Sequence, residues 1–167
     1  MRELHEVTAG SETAKASQAI PYHPDRVWQA FADFGTIADW HPLIAASALE
    51  GSTPAPRPGA VRLLNTTSQD DIREELVTCD AARRRLTYRF LSSPFPVSGY
   101  LATVHVLPGT DRPDSSIVTW QATFLPDTPA QGPELATMFT KEVFTTGLAA
   151  LTAHLNTTSW SSRNSRG

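Results

Sequence analysis

"LTYRFLSSPFPVSGYLATVHV", residues 86–106, decides how this chain folds. Leu86, Tyr88 and Phe90 share one parity while Thr87 and Arg89 take the other, and Tyr100, Ala102 and Val104 alternate the same way. Successive side chains of a strand point to opposite faces, so each half reads as a strand with one apolar face. The stretch between them, stiffened by Pro94 and Pro96, reads as their connecting loop. Two tyrosines lie on the apolar face. Each is either core, with its hydroxyl satisfied by a neighbour, or the wall of a space that holds another molecule.

Strand-like runs flank this pair on both sides: 13–20, 43–50, 60–67, 71–79 and 117–125, with the central two at 84–91 and 97–106. In "SIVTWQATF", Val118, Trp120, Ala122 and Phe124 oppose Thr119, Gln121 and Thr123. One wet face and one buried face mark an antiparallel sheet. "HPDRVWQAFADFG" predicts a helix, with Pro24 at its first position, Asp25 at the positive end of the dipole and Gly35 at its stop. Its apolar face is Val27, Phe31 and Phe34, and a second helical turn is expected over Thr36–Trp40, before Pro42. Residues 132–155, "GPELATMFTKEVFTTGLAALTAHL", predict a long helix. There Leu135, Met138, Phe139, Val143, Phe144, Leu148, Leu151 and Leu155 form a broad stripe. One sheet plus one long helix is an α+β arrangement.

At 167 residues the chain suits one domain, able to bury roughly 68–70% of its unfolded surface. The expected domain is 13–155, between flexible ends at 1–12 and 156–167, with "STPAPRPG" (52–59) as a Pro-rich connection. A net charge of −3 gives no electrostatic footprint for nucleic acid or anionic membrane, and Arg83, Arg84 and Arg85 beside Asp80 read as a solvated hairpin tip. The single cysteine, Cys79, excludes an internal disulfide and fits a reducing compartment. The amino terminus carries charges where a signal peptide needs an apolar run, and no stretch reaches the ~18–20 apolar residues of a membrane span. A cytoplasmic monomer or homodimer without stable membrane insertion is expected.

Glu74 is the most informative polar residue. It shares parity with Ile72 and Leu76, which points it inward. A hairpin turning near Ser68 sets Arg62 opposite Glu74 as a cross-strand pair. Such a pair either satisfies itself structurally or poises a carboxylate as acid or base. A slip of one residue would turn Glu75 inward instead. No histidine–carboxylate spacing signals a metal, and neither GxGxxG, GxxxxGK[ST] nor a GxSxG elbow around Ser47 is present. No metal and no cofactor are expected.

The order strand, two short helices, six strands, long helix resembles the START-like helix-grip (SRPBCC) superfamily. More narrowly, the chain resembles the bacterial polyketide cyclase/dehydrase and lipid-transport family. The likeness rests on Val27-Trp28, "WHPLI" (40–44), "PGAVR" (58–62), "EEL" (74–76) with Asp80, "SPFPVSGY" (93–100) and "VTWQATF" (118–124). It implies a curved, antiparallel, seven-stranded sheet gripping the carboxy-terminal helix around a deep cavity, entered past loops near Thr66–Asp70 and Ser92–Ser98. Tyr88, Tyr100 and Trp120 fall where such families line the cavity, and His41 falls near its entrance, either as a proton shuttle or as a loop histidine bonded to backbone. The expected catalytic set is Glu74, Arg62, Tyr88 and His41. The expected ligand-binding set is Trp40, Ser47, Leu64, Phe90, Phe95, Tyr100, Trp120, Phe139 and Val143. The partner would be a small hydrophobic molecule. The resemblance implies either a cofactor-independent cyclase or dehydratase acting on a polyketide-like or aromatic intermediate, or a non-catalytic carrier of a lipid, quinone or similar metabolite.

Overall fold

All seven strand-like runs pair into one antiparallel sheet in the computed structural model, which describes residues 10–51 and 56–158. The strands are β1 (Glu12–Ile20), β2 (Ile44–Leu49), β3 (Val61–Thr66), β4 (Asp71–Asp80), β5 (Arg85–Ser92), β6 (Val97–Pro108) and β7 (Ser116–Pro126). Their order is β1-β7-β6-β5-β4-β3-β2, so β1 crosses to pair with β7 and the remaining strands follow as a meander. Register breaks occur at Ile44/Ala46, Arg73/Glu74, Leu76/Thr78 and Ser98/Leu101. Bulges bend a strand and increase its twist, which lets a sheet this wide curl around a helix. Gly99, at φ +62°, occupies the break in β6, a conformation that costs other residues a steric clash.

Helix α1 (Pro24–Ala32) starts as its punctuation predicts, and the His23 ring accepts a hydrogen bond from the Asp25 N–H. The second turn is a 3-10 helix over Phe34–Asp39, beginning two residues before the expected Thr36. The carboxy-terminal helix differs from a regular α reading. It runs as α2 (Gly132–Met138), a π-helical segment (Phe139–Thr145) and α3 (Thr146–Thr157). In the π segment the Thr146 N–H reaches the Lys141 carbonyl, five residues back. Phe139 and Phe144 are also five apart and both are buried, so the wider turn keeps both rings on the sheet side.

β1 begins at Glu12 and α3 runs to Thr157, just outside the expected 13–155. Arg26 ties down the end of α3 through the carbonyls of Leu155 and Thr158. Residues 1–9 and 159–167, most of the expected flexible ends, and 52–55 of the Pro-rich connection lie outside the described residues.

The concave face of the sheet buries Ala14, Leu64, Leu76, Leu86, Val104, Val118, Trp120 and Phe124 against Phe139, Phe144, Leu148 and Leu151 of the helix. The convex face carries paired polar side chains, including Arg89–Glu75 and Thr78–Thr87. His105 lies on that face opposite Arg85 and Thr119, as its parity predicts.

Candidate functional site

The helix does not fill the concavity. Between the middle of the sheet and the π segment lies a cavity of about 190 Å³. Arg62, Leu64, Ile72, Glu74, Tyr88, Phe90, Tyr100 and Trp120 supply its sheet wall, and Met138, Phe139, Glu142 and Val143 its helix wall. Phe95 closes one side from the β5–β6 loop, and Thr66, Thr67, Ser68 and Asp70 rim the mouth from the β3–β4 loop.

Arg62 and Glu74 are directly opposite in the β3–β4 register. Arg62 Nε donates to Glu74 Oε1 at 2.8 Å, with the residues only 4% and 5% exposed. Arg62 Nη1 donates to the Phe34 carbonyl at 3.1 Å, and the guanidinium carbon sits 3.9 Å from the Phe34 ring centroid and 4.9 Å from that of Tyr88. Those contacts fix the guanidinium at the cavity floor. Oε1 is the oxygen that Arg62 holds, and Glu74 lines the cavity beside it. Burial pushes the Glu74 carboxyl above its usual range, against the pull of Arg62. A carboxyl raised toward neutrality is suited to both take and give a proton.

The tyrosines answer the question posed by their strands. Trp120 Nε1 donates to the Tyr88 hydroxyl at 3.0 Å, and the Tyr100 hydroxyl lies within hydrogen-bonding reach of it. Whichever tyrosine donates to the other, one O–H of the trio has no acceptor within it. Burial above all, with added repulsion from nearby acidic groups, pushes both phenols far up, so they stay protonated donors at any physiological pH. Phe90 stacks on Tyr100 with centroids 3.8 Å apart and planes 7° apart, and Phe139 packs 5.1 Å from both Tyr100 and Phe95. A polar corner of Arg62, Glu74 and the tyrosine hydroxyls therefore sits beside aromatic walls, with a second set of polar side chains at the mouth.

His41 lines the cavity, but both of its ring nitrogens are engaged. Nδ1 accepts from the Leu43 N–H at 3.2 Å and Nε2 donates to the Val143 carbonyl in the π segment at 2.8 Å. Burial pulls its pKa below the usual value. With both nitrogens engaged, the ring fits the second of its two expected roles, a histidine bonded to backbone, and straps the short helix to the long one. Gly147 makes the strap possible: a Cβ there would lie 2.8–2.9 Å from His41 ring atoms and 3.0 Å from Trp120.

Two expected ligand contacts lie elsewhere. Ser47 Oγ donates to the Gly35 carbonyl at 2.8 Å and accepts from the Ala38 N–H at 3.1 Å, so it fastens β2 to the short helix. Sequence parity could not foresee this, because β2 is an edge strand with a bulge at Ile44/Ala46. Trp40 packs behind the cavity wall, 5.3 Å from Phe31 and 6.1 Å from Trp120, and its buried Nε1 has no acceptor among the described residues. The other expected positions all line the cavity: Glu74, Arg62, Tyr88, Leu64, Phe90, Phe95, Tyr100, Trp120, Phe139 and Val143.

Sequence reasoning missed Ile37, Leu43, Ile44, Ile72 and Glu142 as lining residues. Glu142 had a signal, since it follows Met138 and Phe139 by four and three positions on one helix face. Among the described residues no three His, Cys, Asp or Glu side chains could hold a metal ion, and no helix is long and apolar enough to cross a membrane.

Residues 11–156 match the family described as polyketide cyclase/dehydrase and lipid transport, and the chain belongs to that family. Its structure is similar to that of XoxI from Bacillus cereus, at 32% identity and a TM-score of 0.74, over 87% of this chain and 96% of that one. A protein of Thermobifida fusca is also similar, at 32% identity and a TM-score of 0.75, over 84% of this chain and 90% of that one. Ginseng major latex-like protein 151 from Panax ginseng, at 15% identity and a TM-score of 0.71 over 87% and 97%, shares the fold alone. These likenesses establish the expected helix-grip architecture. No curated protein matches the chain significantly.

Proposed function

We propose that this member of the polyketide cyclase/dehydrase and lipid-transport family is a cofactor-independent enzyme. It would hold a polyketide-like or aromatic intermediate in its cavity and catalyse cyclisation, dehydration or a related rearrangement by proton transfer. The observation that carries the reading is the polar corner. A buried carboxyl held by Arg62 and the hydroxyl of Tyr88, itself bonded by Trp120, line one cavity together with Tyr100, amid Leu64, Ile72, Phe90 and Phe139.

In that arrangement Glu74 takes a proton from carbon or oxygen of the guest and returns it later. The tyrosine hydroxyl donates to the oxygen on which negative charge develops, and fixed donors of this kind are most effective where water is excluded. Arg62 keeps Glu74 in place and limits how far burial can neutralise it. The aromatic walls hold the reactive conformer, which lowers the entropic part of the barrier.

The test uses a compact enolisable aryl ketone in deuterated buffer, with exchange at the carbon beside the carbonyl followed by NMR. The wild-type protein is expected to accelerate exchange, and Glu74→Gln to lower that rate by at least about a hundredfold, the usual scale of general acid–base catalysis. Binding of the ketone without any acceleration would instead favour a carrier for small hydrophobic molecules.

A further inference from the structure

The dimensions and charges of the cavity restrict its guest further than the polar corner alone. An apolar cavity of about 150 Å³ suffices for benzene, whereas sites for drug-sized molecules run to ~300–1,000 Å³. At about 190 Å³ this cavity lies near the lower mark. It is flanked by flat rings, Phe90 on Tyr100 and Phe95 near Phe139, which suit a planar guest.

Charge narrows the choice again. The ionisable groups lining the space are Arg62 and Glu74 at the floor, Asp70 and Glu142 at the mouth, the two tyrosines, and His41 with both nitrogens engaged. Arg62 is the one cation among them; its charge is balanced by Glu74, and two of its five N–H groups go to Glu74 and the Phe34 carbonyl. A guest carboxylate would have to shed its water, pass two exposed carboxylates on the rim, and then meet the Glu74 carboxyl group. Burying a charge without a partner is strongly unfavourable. A hydroxyl or carbonyl group finds the opposite situation: the Glu74 carboxyl can accept its proton, and a tyrosine O–H of the lining can donate to its oxygen.

We propose that the cavity selects a compact, uncharged aromatic molecule, about one ring in size and bearing a hydroxyl or enolisable carbonyl. It rejects the matching carboxylate and also long-chain lipids. This specificity deepens the reading of the cavity as a ligand site and rests on it.

The experiment is an NMR titration of the intact protein at pH 7, following the Trp120 indole N–H, whose ring lines the cavity and whose proton is held by Tyr88. The probes are 4-ethylphenol, 4-ethylbenzoate and 1-decanol. The phenol is expected to bind at least about tenfold more tightly than the benzoate, and decanol to leave the resonance in place. In an Asp70→Asn/Glu142→Gln double variant, which alters only the exposed rim, the gap between phenol and benzoate should narrow by about threefold or more. Glu74→Gln, where it folds, should make the benzoate the tighter binder, because Arg62 then lacks a counter-charge. Benzoate or decanol binding as tightly as the phenol would overturn this specificity while leaving the cavity a ligand site. A rim variant that leaves the gap unaltered would overturn the electrostatic selection. Failure of every probe to move the resonance would remove the ligand site itself, and the specificity with it.

Discussion

Arg62 and Glu74 face each other across β3 and β4 as an ion pair that water scarcely reaches, 2.8 Å apart. Breaking such a pair from one side leaves a buried charge, which typically costs ~3–5 kcal/mol, whereas replacing both partners by apolar groups is often neutral. Arg62→Met is therefore expected to destabilise the fold by about 3–5 kcal/mol at pH 7 in denaturant titrations, and Arg62→Met/Glu74→Leu to recover most of the loss. The sign with pH follows from the raised carboxyl. The folded state holds the Glu74 proton more tightly than the unfolded chain does. The associated stability is present below the ordinary value of 4.5 and is lost as pH rises through the raised one. Without Arg62 that decline should be steeper than in the wild type.

His41 gives a slope of the opposite sign. Its folded pKa lies below 6.5, so the neutral ring is favoured by folding. That contribution is present above pH 6.5 and is lost as pH falls through the depressed value. His41→Gln is expected to cost about 1–3 kcal/mol at pH 7.5, through the Leu43 and Val143 bonds, and to flatten this part of the stability–pH curve. A variant as pH-dependent as the wild type would remove the strap from the account.

Gly147 is required by proximity. A methyl group there meets rigid ring atoms of His41 and Trp120 at 2.8–3.0 Å. Alanine would ordinarily favour a helix by about 1 kcal/mol over glycine, but overpacking costs about 1–3. Gly147→Ala should therefore lower stability or leave it level. A clear rise in the thermal midpoint would contradict the close approach.

Ser47 separates structural from ligand contacts. Ser47→Ala should remove the link from β2 to the short helix, costing about 1 kcal/mol, while changing the affinity for 4-ethylphenol by less than about twofold. A large loss of affinity at intact stability would return Ser47 to the cavity.

Much of this was legible because period-two alternation is strong wherever one sheet face is buried. Tyr88, Tyr100 and Trp120 declared their side, and the turn near Ser68 fixed Glu74 inward and Glu75 outward. Ser47 and Trp40 were misplaced because their roles depend on how an edge strand and a 3-10 turn pack together. Local pattern does not encode that packing. The π segment was written in the five-residue spacing of Phe139 and Phe144, but a broad apolar stripe masks such a shift. The two bonds to His41 come from segments 102 positions apart in one case and two in the other, and only the first needed the fold to reveal it.

The central claim is that the hollow admits a small molecule whose oxygen engages Glu74 and a tyrosine hydroxyl. A crystal structure grown with a compact aryl ketone tests it most directly. Ring density is expected between the Phe90–Tyr100 stack and Val143, with the ketone oxygen within about 3.2 Å of a tyrosine hydroxyl and its adjacent carbon facing Glu74. Side chains closing over the space, with the ketone bound elsewhere or absent at saturating concentration, would contradict it.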